Sequence, residues 1–433
     1  MKRRRSSRSM TLVDKHSGQF PSEVSAGSLT MPHNPHLEMT RMAADNGRRP
    51  ANRALRFTRV KLGNWRNFVD VDIPLQRRAF LVGPNASGKS NLLDAFRFLR
   101  EIVIVGGGFQ KAVETRGGVS KLRCLAARRY SNVAIAVTVG SDDEPEQWEY
   151  ELHFTQDNRR RPQITRERVV KSGKEILSRP DKDDGRDRER LTQTLIEQVY
   201  ANKDFRELAE FLSAIRYSHI VPQLIRDPER SVAREHDPYG SDFLEQVLRT
   251  QDKTRTARLR RIGSALRVAV PQLKDIDAYR DEKGVAHLRG KYEHWRPQGA
   301  WQSEDQFSDG TLRLVGLLWA ILDGTGPLLL EEPELSLHPE VARFVPPMFA
   351  RVQRRSGRQV LLSTHSADLL RDEGIGLDET LLLIPSNEGT AVRPAGDFTE
   401  IVTLLEAGLT LAEAVMPVTQ PRRASQLSLF GDL

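Results

Sequence analysis

Residues 83–90 read GPNASGKS, and their types and spacing suit them to bind phosphate. The segment fits the pattern G-x-x-x-x-G-K-[ST], follows the apolar run AFLV and opens a helix-like segment, KSNLLDAFRFLREI. Gly83 and Gly88 allow the backbone to curl so that several N–H groups point at phosphate oxygens, and the helix N-terminus adds a positive dipole. Lys89 would place its charge on the β- and γ-phosphates, and the Ser90 hydroxyl would ligate Mg²⁺. The sequence therefore predicts a site for a nucleoside triphosphate and Mg²⁺.

A second candidate is the acidic pair in LLLEEPELSLHP, residues 328–339. The aliphatic run predicts a buried strand, and Glu331 and Glu332 follow at its carboxyl end, where α/β sheets bind ligands. Two adjacent carboxylates are costly to desolvate, so they should face something strongly positive, such as Mg²⁺ beside a triphosphate. We expect Glu331 to hold Mg²⁺ through water and Glu332 to polarise the attacking water. A solvated helix start is the alternative for the pair taken alone.

Strand-like and helix-like patterns along the chain predict an α/β fold that positions these residues. RFTRVKL, VDVDIPL, AFLV, NVAIAVTV, QWEYELHF, GPLLLEE and RQVLLSTH have strand patterns. From the charged segment RPDKDDGRDRERL to about Gly290 the pattern is mostly helical. The predicted parts are a disordered basic tail (1–55), a first lobe with the phosphate loop (56–180), a mostly helical insertion (181–299), a second lobe with the acidic pair (300–397), and a C-terminal helix and tail (398–433).

The charge distribution limits what the composition says about partners. The 433-residue chain has a net charge of +8, but residues 1–55 alone hold ten Lys/Arg and four Asp/Glu. The rest of the chain is nearly balanced, so a contact with DNA would need a local basic patch.

Targeting and redox features favour a cytoplasmic protein. No apolar run approaches the ~18 residues of a membrane span, and no apolar segment follows the basic start MKRRRSSR. Cys124 is the single cysteine, so no intrachain disulfide can form.

Two further segments complete a family pattern. FSDGTLRLVGLLWAIL places Ser308 and Gly310 at the start of an apolar helix, and LLSTHSADLL places His365 at the end of an apolar strand. With LVGPNASGKSNLLDAFRFL, LLLEEPELSLHP and the N-terminal VKLGNWRNFVDVDIPL, these segments resemble ABC-type ATPases. Within them the chain looks like the RecF, OLD and SMC-head group. The resemblance covers roughly residues 56–125 and 300–395.

The resemblance implies a P-loop fold of the ABC-ATPase-head type with mixed sheets and a shared site. Two heads would sandwich two ATP molecules, with Ser308 and Gly310 of one subunit contacting the γ-phosphate held by Lys89 of the other. His365 would contact the γ-phosphate within its own subunit, Arg66 or Asn67 would contact the nucleotide, and residues 335–338 would pass information between the two sites. The resulting nucleotide-binding set is Gly83, Pro84, Asn85, Ala86, Ser87, Gly88, Lys89, Ser90, Asn91, Arg66, Ser308 and Gly310. The catalytic set is Glu332, His365 and Lys89, and the metal ligands are Ser90 and Glu331.

The chain departs from the family pattern in four ways. The signature is Ser-Asp-Gly-Thr, and the metal carboxylate is Glu331 where many relatives have an aspartate. A glutamine loop has no firm position: Gln110 and the segment 116–118 are both candidates. No long coiled-coil arm is present.

Two segments suggest partners. Residues 254–270 predict a helix with Lys253, Arg260 and Arg267 on a face away from the apolar stripe. This face is suited to DNA phosphates or simply to solvent.

The tail peptide QLSLF resembles the motif that bacterial repair proteins insert into the sliding clamp. Gln426 would anchor the peptide, and Leu427, Leu429 and Phe430 would fill apolar pockets. The alternative is that this end folds back onto its own domain.

Three functions remain compatible with these features. The leading hypothesis is a cytoplasmic ATPase that dimerises on ATP and acts in DNA repair, recombination or phage defence, with a separate nuclease as partner if DNA is cut. The second is the ATPase subunit of a membrane transporter. The third is a nucleotide-switched protein that regulates a partner effector without touching DNA.

Overall fold

The part of the chain described by the computed structural model comprises residues 53–128, 131–227, 237, 239–295 and 300–420. Nearly all of the predicted disordered tail, 1–55, lies outside these ranges. So do residues 421–433, which contain the clamp-like peptide.

A six-stranded antiparallel sheet forms most of the first lobe, in the order β2-β1-β4-β5-β6-β7. Its strands are β1 (Arg56–Trp65), β2 (Phe68–Pro74), β4 (Val133–Gly140), β5 (Trp148–Gln156), β6 (Pro162–Lys171) and β7 (Lys174–Arg179). Apolar residues at every second position predicted β4, and in the structure these residues, Val133, Ile135 and Val137, are buried while their neighbours are more exposed.

A second six-stranded sheet carries the predicted site residues. Its order is β15-β14-β3-β13-β12-β8, and all neighbours are parallel except β14 and β15. The strands are β3 (Arg78–Val82), β8 (Arg216–Ser218), β12 (Leu328–Glu331), β13 (Val360–Thr364), β14 (Thr380–Ser386) and β15 (Gly389–Pro394). Because parallel strands end at the same sheet edge, the segments after β3, β12 and β13 lie side by side. This edge brings together the phosphate loop, the acidic pair and His365.

The helices of the described residues pack on both sides of this sheet and around the insertion. They are α1 (Lys89–Val103), α2 (Phe109–Glu114), α3 (Val119–Leu122), α4 (Lys182–Arg186), α5 (Arg206–Ser213), α6 (Pro222–Ile225), α7 (Phe243–Arg249), α8 (Asp252–Ala269), α9 (Asp309–Leu322), α10 (Pro339–Ala342), α11 (Val345–Ser356), α12 (Thr399–Glu406) and α13 (Leu411–Thr419). Helix α1 is central because its buried face joins the core shared by both sheets, where the Phe96 and Phe57 rings lie 4.7 Å apart.

The cores divide the chain differently from the predicted boundaries. Ile196, Phe205, Leu212 and Ile215, expected in the insertion, are buried in the core of the first lobe. A separate core joins α7, α8 and α9 to a three-stranded antiparallel sheet of β9 (Leu273–Arg280), β10 (Ala286–Tyr292) and β11 (Ala300–Ser303). The predicted mostly helical insertion therefore also contains strands, because apolar residues in β9 and β10 alternate to cover these helices.

No helix within the described residues is both long enough and apolar enough to cross a membrane.

Candidate functional site

The two glycines of the phosphate loop stand where any larger residue would collide with its surroundings. Gly88 has φ 99°, and a Cβ there would lie 2.1 Å from Asn67 Nδ2. A Cβ on Gly83 would lie 2.7 Å from Ser87 Oγ and 2.8 Å from the Leu383 carbonyl oxygen. Packing therefore requires glycine at both positions, and the positive φ of Gly88 requires it there for backbone freedom as well.

The mouth of the loop presents backbone N–H groups without a protein side chain to cap them. Helix α1 begins at Lys89, and its N-cap Gly88 offers no side-chain hydrogen bond. The first N–H groups of a helix have no intrahelical partner, and the helix dipole favours negative charge there. Ser87 Oγ is buried and has no hydrogen-bond partner among the described residues. The N–H groups at the start of α1 fit a bound phosphate.

Lys89 folds back over the loop. Its Nζ donates to the carbonyl oxygens of Gly83 at 2.8 Å and Pro84 at 3.1 Å. Burial lowers the pKa of Lys89, while Glu332, Glu334 and Glu331 oppose the shift. The ammonium thus lies on the phosphate loop, close enough to the acidic segment to be influenced by its carboxylates. Its contact with a phosphate stays a prediction.

Asn67 fastens the loop to the neighbouring strands. Its Nδ2 donates to the Ser87 carbonyl oxygen at 2.8 Å and to Thr390 Oγ1 at 2.7 Å, and its Oδ1 accepts from Asn91 Nδ2 at 2.9 Å. The sequence analysis predicted only that Arg66 or Asn67 contacts the nucleotide. The hydrogen bonds of Asn67 instead stabilise the position of the phosphate loop.

Arg66 is directed toward helix α1. Its Nη2 lies 3.5 Å from Asp94 Oδ2, and its Nη1 donates to the Lys121 carbonyl oxygen at 3.2 Å. Asp94 also binds Arg116 and Arg97, and the three guanidinium groups hold its pKa below the usual range despite burial. A nucleotide contact by Arg66 stays a prediction.

Glu331 and Ser90, the two predicted metal ligands, meet at the sheet edge. The Ser90 hydroxyl donates to Glu331 Oε1. The other oxygen, Oε2, accepts from the Tyr217 hydroxyl on β8. A hydroxyl and a carboxylate facing each other beside a phosphate-binding helix are oxygen donors of the kind Mg²⁺ prefers, so the donor set fits this metal.

Glu332 and His365 also meet. Glu332 takes a left-handed backbone conformation, φ 42°, and its N–H donates to the Ser363 carbonyl oxygen at 3.1 Å. Its Oε1 lies 3.2 Å from His365 Nδ1. Such a conformation is costly for a residue other than glycine and often marks a functional site. Here it separates the two adjacent carboxylates, one toward Ser90 and one toward His365.

Two site residues were missed by sequence reasoning. Tyr217 is brought in by pairing of β8 with β12, for which the sequence carries no local signal. Glu334 lies in the acidic segment, residues 328–339, but no function was predicted for it. It is buried, its Oε1 accepts from Thr364 Oγ1 at 2.5 Å, and burial raises its pKa.

The predicted signature residues lie against the acidic segment of the same chain. Ser308 caps helix α9 by accepting from the Thr311 N–H at 3.2 Å. A Cβ on Gly310 would lie 2.5 Å from the Ser336 carbonyl oxygen, so the helix start packs tightly on residues 335–338. Among the described residues no hydrogen bond joins Ser308 or Gly310 to the phosphate loop. Their contact with a nucleotide held by a second subunit stays a prediction.

The candidate glutamine-loop residues are engaged within the first lobe. Gln110 Nε2 donates to the carbonyl oxygens of Pro162 at 2.9 Å and Thr192 at 2.7 Å. Arg116 Nη2 lies 2.8 Å from Asp94 Oδ1. The position of a glutamine loop stays a prediction.

Comparison with solved structures finds similarity to head domains of SMC proteins. The chain is 12% identical to an Smc head domain from Pyrococcus furiosus bound to the C-terminal domain of ScpA, covering 81% of this chain and 100% of that one, with a TM-score of 0.45. For the SMC head domain from Thermotoga maritima the identity is 14%, the coverage 78% and 98%, and the TM-score 0.42. For an Smc head domain from Pyrococcus yayanosii the identity is 11%, the similarity covers 82% of this chain and 100% of that one, and the TM-score is 0.46.

A search of curated proteins finds no match. Residues 78–372 match the protein family described as "AAA domain, putative AbiEii toxin, Type IV TA system". The match runs from β3, through the phosphate loop and the acidic pair, to the segment after His365. The predicted α/β fold of a P-loop ATPase with mixed sheets is confirmed, and the chain belongs to this AAA-domain family.

Proposed function

We propose that the protein binds ATP with Mg²⁺ and hydrolyses it in a site shared by two copies of the chain. The observation that supports this most is the meeting of four groups at one sheet edge. Ser90 and Glu331 face each other beside the uncapped start of α1, and Glu332 and His365 face each other next to them.

Each residue has a task in this mechanism. The backbone N–H groups at the start of α1 and the Lys89 ammonium would bind the phosphates. Ser90 and Glu331 would hold Mg²⁺, which when bound offsets the negative charge of the phosphate oxygens. Glu332 accepts a proton from the attacking water, and His365, whose Nδ1 lies 3.2 Å from Glu332 Oε1, orients that carboxylate. As the family resemblance implies, His365 would also contact the γ-phosphate.

The decisive test is ATP turnover by purified protein at low salt, with and without linear duplex and single-stranded DNA. We expect Mg²⁺-dependent turnover that is lost in Glu332→Gln. Turnover that persists in that variant, or no turnover under any condition, would contradict the proposal.

DNA is the proposed partner, in repair, recombination or phage defence. Helix α8 exposes Lys253, Arg260 and Arg261, and a surface groove of about 370 Å³ is lined by Lys253, Arg258 and Arg261 among others. Such a groove suits a phosphate backbone, with sequence-independent and salt-sensitive binding. DNA-stimulated turnover that falls as salt rises would support this role.

A nucleotide-switched regulator of a protein effector is the second candidate. The family description, with its reference to toxin–antitoxin systems, favours it. Turnover indifferent to DNA would shift the proposal to this function and to a protein partner. The transporter-subunit alternative has no such supporting observation.

The C-terminal peptide offers one protein partner, the bacterial sliding clamp. Gln426, Leu427, Leu429 and Phe430 would carry the contact. Clamp pull-down by the full chain that is unchanged by Leu429→Ala with Phe430→Ala would exclude it.

A further inference from the structure

The carboxylate of Glu331 is held from two sides by two hydroxyl groups. Ser90, at the start of α1, donates to Oε1, and Tyr217, on the edge strand β8, donates to Oε2. Each carboxylate oxygen therefore has its own hydroxyl partner, and the two partners come from different elements. Tyr217 belongs to no predicted motif.

The segment containing Tyr217 is fixed against the end of β12. Tyr217 is in register with Leu329, and His219 Nδ1 lies 3.2 Å from the Glu331 carbonyl oxygen. The segment thus contacts both parts of Glu331: His219 lies against its carbonyl oxygen, and the Tyr217 hydroxyl donates to its carboxylate.

The Tyr217 ring is also held from the phosphate-loop helix. The Arg97 guanidinium carbon lies 5.2 Å from the ring centroid, and Arg97 Nη2 lies 2.7 Å from Asp94 Oδ1. With α1 on one side and β12 on the other, the hydroxyl has a defined position relative to Glu331.

A glutamate at this position needs such support more than an aspartate would. Its extra methylene adds a rotatable bond, so an unrestrained carboxylate would spread over more positions. A hydrogen bond to one oxygen restricts this freedom and leaves the other oxygen facing Ser90.

We propose that Tyr217 is a positioning residue for the metal site: its hydroxyl fixes Oε2 of Glu331 so that Oε1 is presented, beside Ser90, to Mg²⁺. The inference rests on the proposed function, because Glu331 must be the metal carboxylate. It makes β8, an element outside the predicted motifs, part of the nucleotide site.

The test measures metal binding directly, by electron paramagnetic resonance of Mn²⁺ with a non-hydrolysable ATP analogue. Tyr217→Phe should weaken Mn²⁺ binding by about threefold to tenfold, the effect of one hydrogen bond of about 1 kcal/mol. Affinity for the analogue in EDTA should stay the same, since the phosphate loop is untouched. Tyr200→Phe, which removes an exposed hydroxyl elsewhere, is the matched control. Thermal melting checks that both variants are folded.

A double-mutant cycle separates positioning from general damage. In Glu331→Asp the shorter side chain cannot reach both hydroxyls, so adding Tyr217→Phe should weaken Mn²⁺ binding little further. Unchanged or tighter Mn²⁺ binding in Tyr217→Phe, or fully additive losses in the double variant, would overturn the proposal. If the wild-type protein binds the analogue but no Mn²⁺, or binds neither, the proposed function itself fails before Tyr217 is tested.

Discussion

At the residue scale, the site depends on a few side chains whose chemistry is set by immediate neighbours. Lys89 spans the phosphate loop and the acidic segment, and burial lowers its pKa against the pull of three glutamates. Glu331 and Glu332 are adjacent in sequence yet face different partners, because Glu332 adopts a left-handed backbone conformation. One turn of the chain thus separates the proposed metal carboxylate from the proposed catalytic base.

Replacing Lys89 with alanine should weaken ATP binding. Hydrogen bonds to charged groups contribute about 1.5–3 kcal/mol, so we expect a loss of about tenfold to a hundredfold. Calorimetric titration with Mg-ATP measures the loss, with Lys174→Ala at the exposed start of β7 as the control. Undiminished affinity in Lys89→Ala would contradict the phosphate-loop assignment.

Replacing Glu332 with glutamine should separate binding from hydrolysis. The amide keeps the shape of the side chain but cannot accept the proton of water, so turnover should fall by about 10²–10⁴-fold while ATP affinity is retained. Turnover and calorimetry on the same preparation measure both, and Glu340→Gln on helix α10 serves as control. A fall in affinity as large as the fall in turnover would mean that Glu332 acts in binding alone.

At the element scale, the sheet edge and the start of α1 do the positioning. The carboxyl ends of β3, β12 and β13 place three loops side by side, and Asn67 ties the phosphate loop to β15 through Thr390. A second close contact, Gly310 against the Ser336 carbonyl oxygen, joins the start of α9 to the segment after the acidic pair. A change in either loop is therefore transmitted to its neighbours through packing.

Gly88→Ala should disable the phosphate loop without unfolding the protein. The new Cβ would meet Asn67 at 2.1 Å, so the loop or Asn67 must move, and ATP binding should fall by at least tenfold. Gly106→Ala is the matched control, because Gly106 also has positive φ, 75°, but has open space around it. The positive φ should lower the free energy of unfolding of both variants by a similar amount, about 1–3 kcal/mol. Equal ATP affinity in the two variants, by calorimetry, would show that the clash does not matter.

At the scale of the whole molecule, the proposed site is shared by two copies of the chain. Gly310 packs on the Ser336 carbonyl oxygen of its own subunit, and within the described residues neither Ser308 nor Gly310 makes a hydrogen bond to the phosphate loop. In the proposed function, both residues contact the γ-phosphate held by a second copy. ATP would then be the link that couples two heads.

Trapping ATP should trap the dimer. Glu332→Gln with Mg-ATP should double the scattering mass relative to the same protein without nucleotide, because unhydrolysed ATP keeps bridging the two surfaces. Light scattering of Glu332→Gln combined with Lys89→Ala provides the control and should give a monomer. A Glu332→Gln protein that stays monomeric with Mg-ATP would refute the shared site.

Charge reversal on helix α8 should test contact with DNA. Arg260→Glu with Arg261→Glu should weaken binding to DNA duplexes of any sequence. The slope of the logarithm of the binding constant against the logarithm of salt concentration should become shallower by about two, one unit per lost phosphate contact. The matched control reverses two exposed arginines on the β5–β6 turn, Arg159 and Arg160. Equal losses in both double variants would assign the effect to net charge and not to α8.

The sequence by itself determined the local parts of the site. GPNASGKS between a strand and a helix, the carboxylates after an aliphatic run, and His365 after another each depend on neighbours within a few residues. Their meeting was also predictable, since parallel strands end at one edge. At this edge Ser90 faces Glu331, the other predicted metal ligand, and Glu332 faces His365, a contact that was not predicted.

Only the tertiary structure decided which other residues join them. Tyr217 reaches Glu331 across 114 positions of sequence, and Asn67 reaches Thr390 across 323. The packing of residues 196–215 into the first lobe was likewise not foreseen. Such contacts depend on which strands become neighbours, and strand pairing is settled by the burial of side chains from distant segments, which no local pattern records.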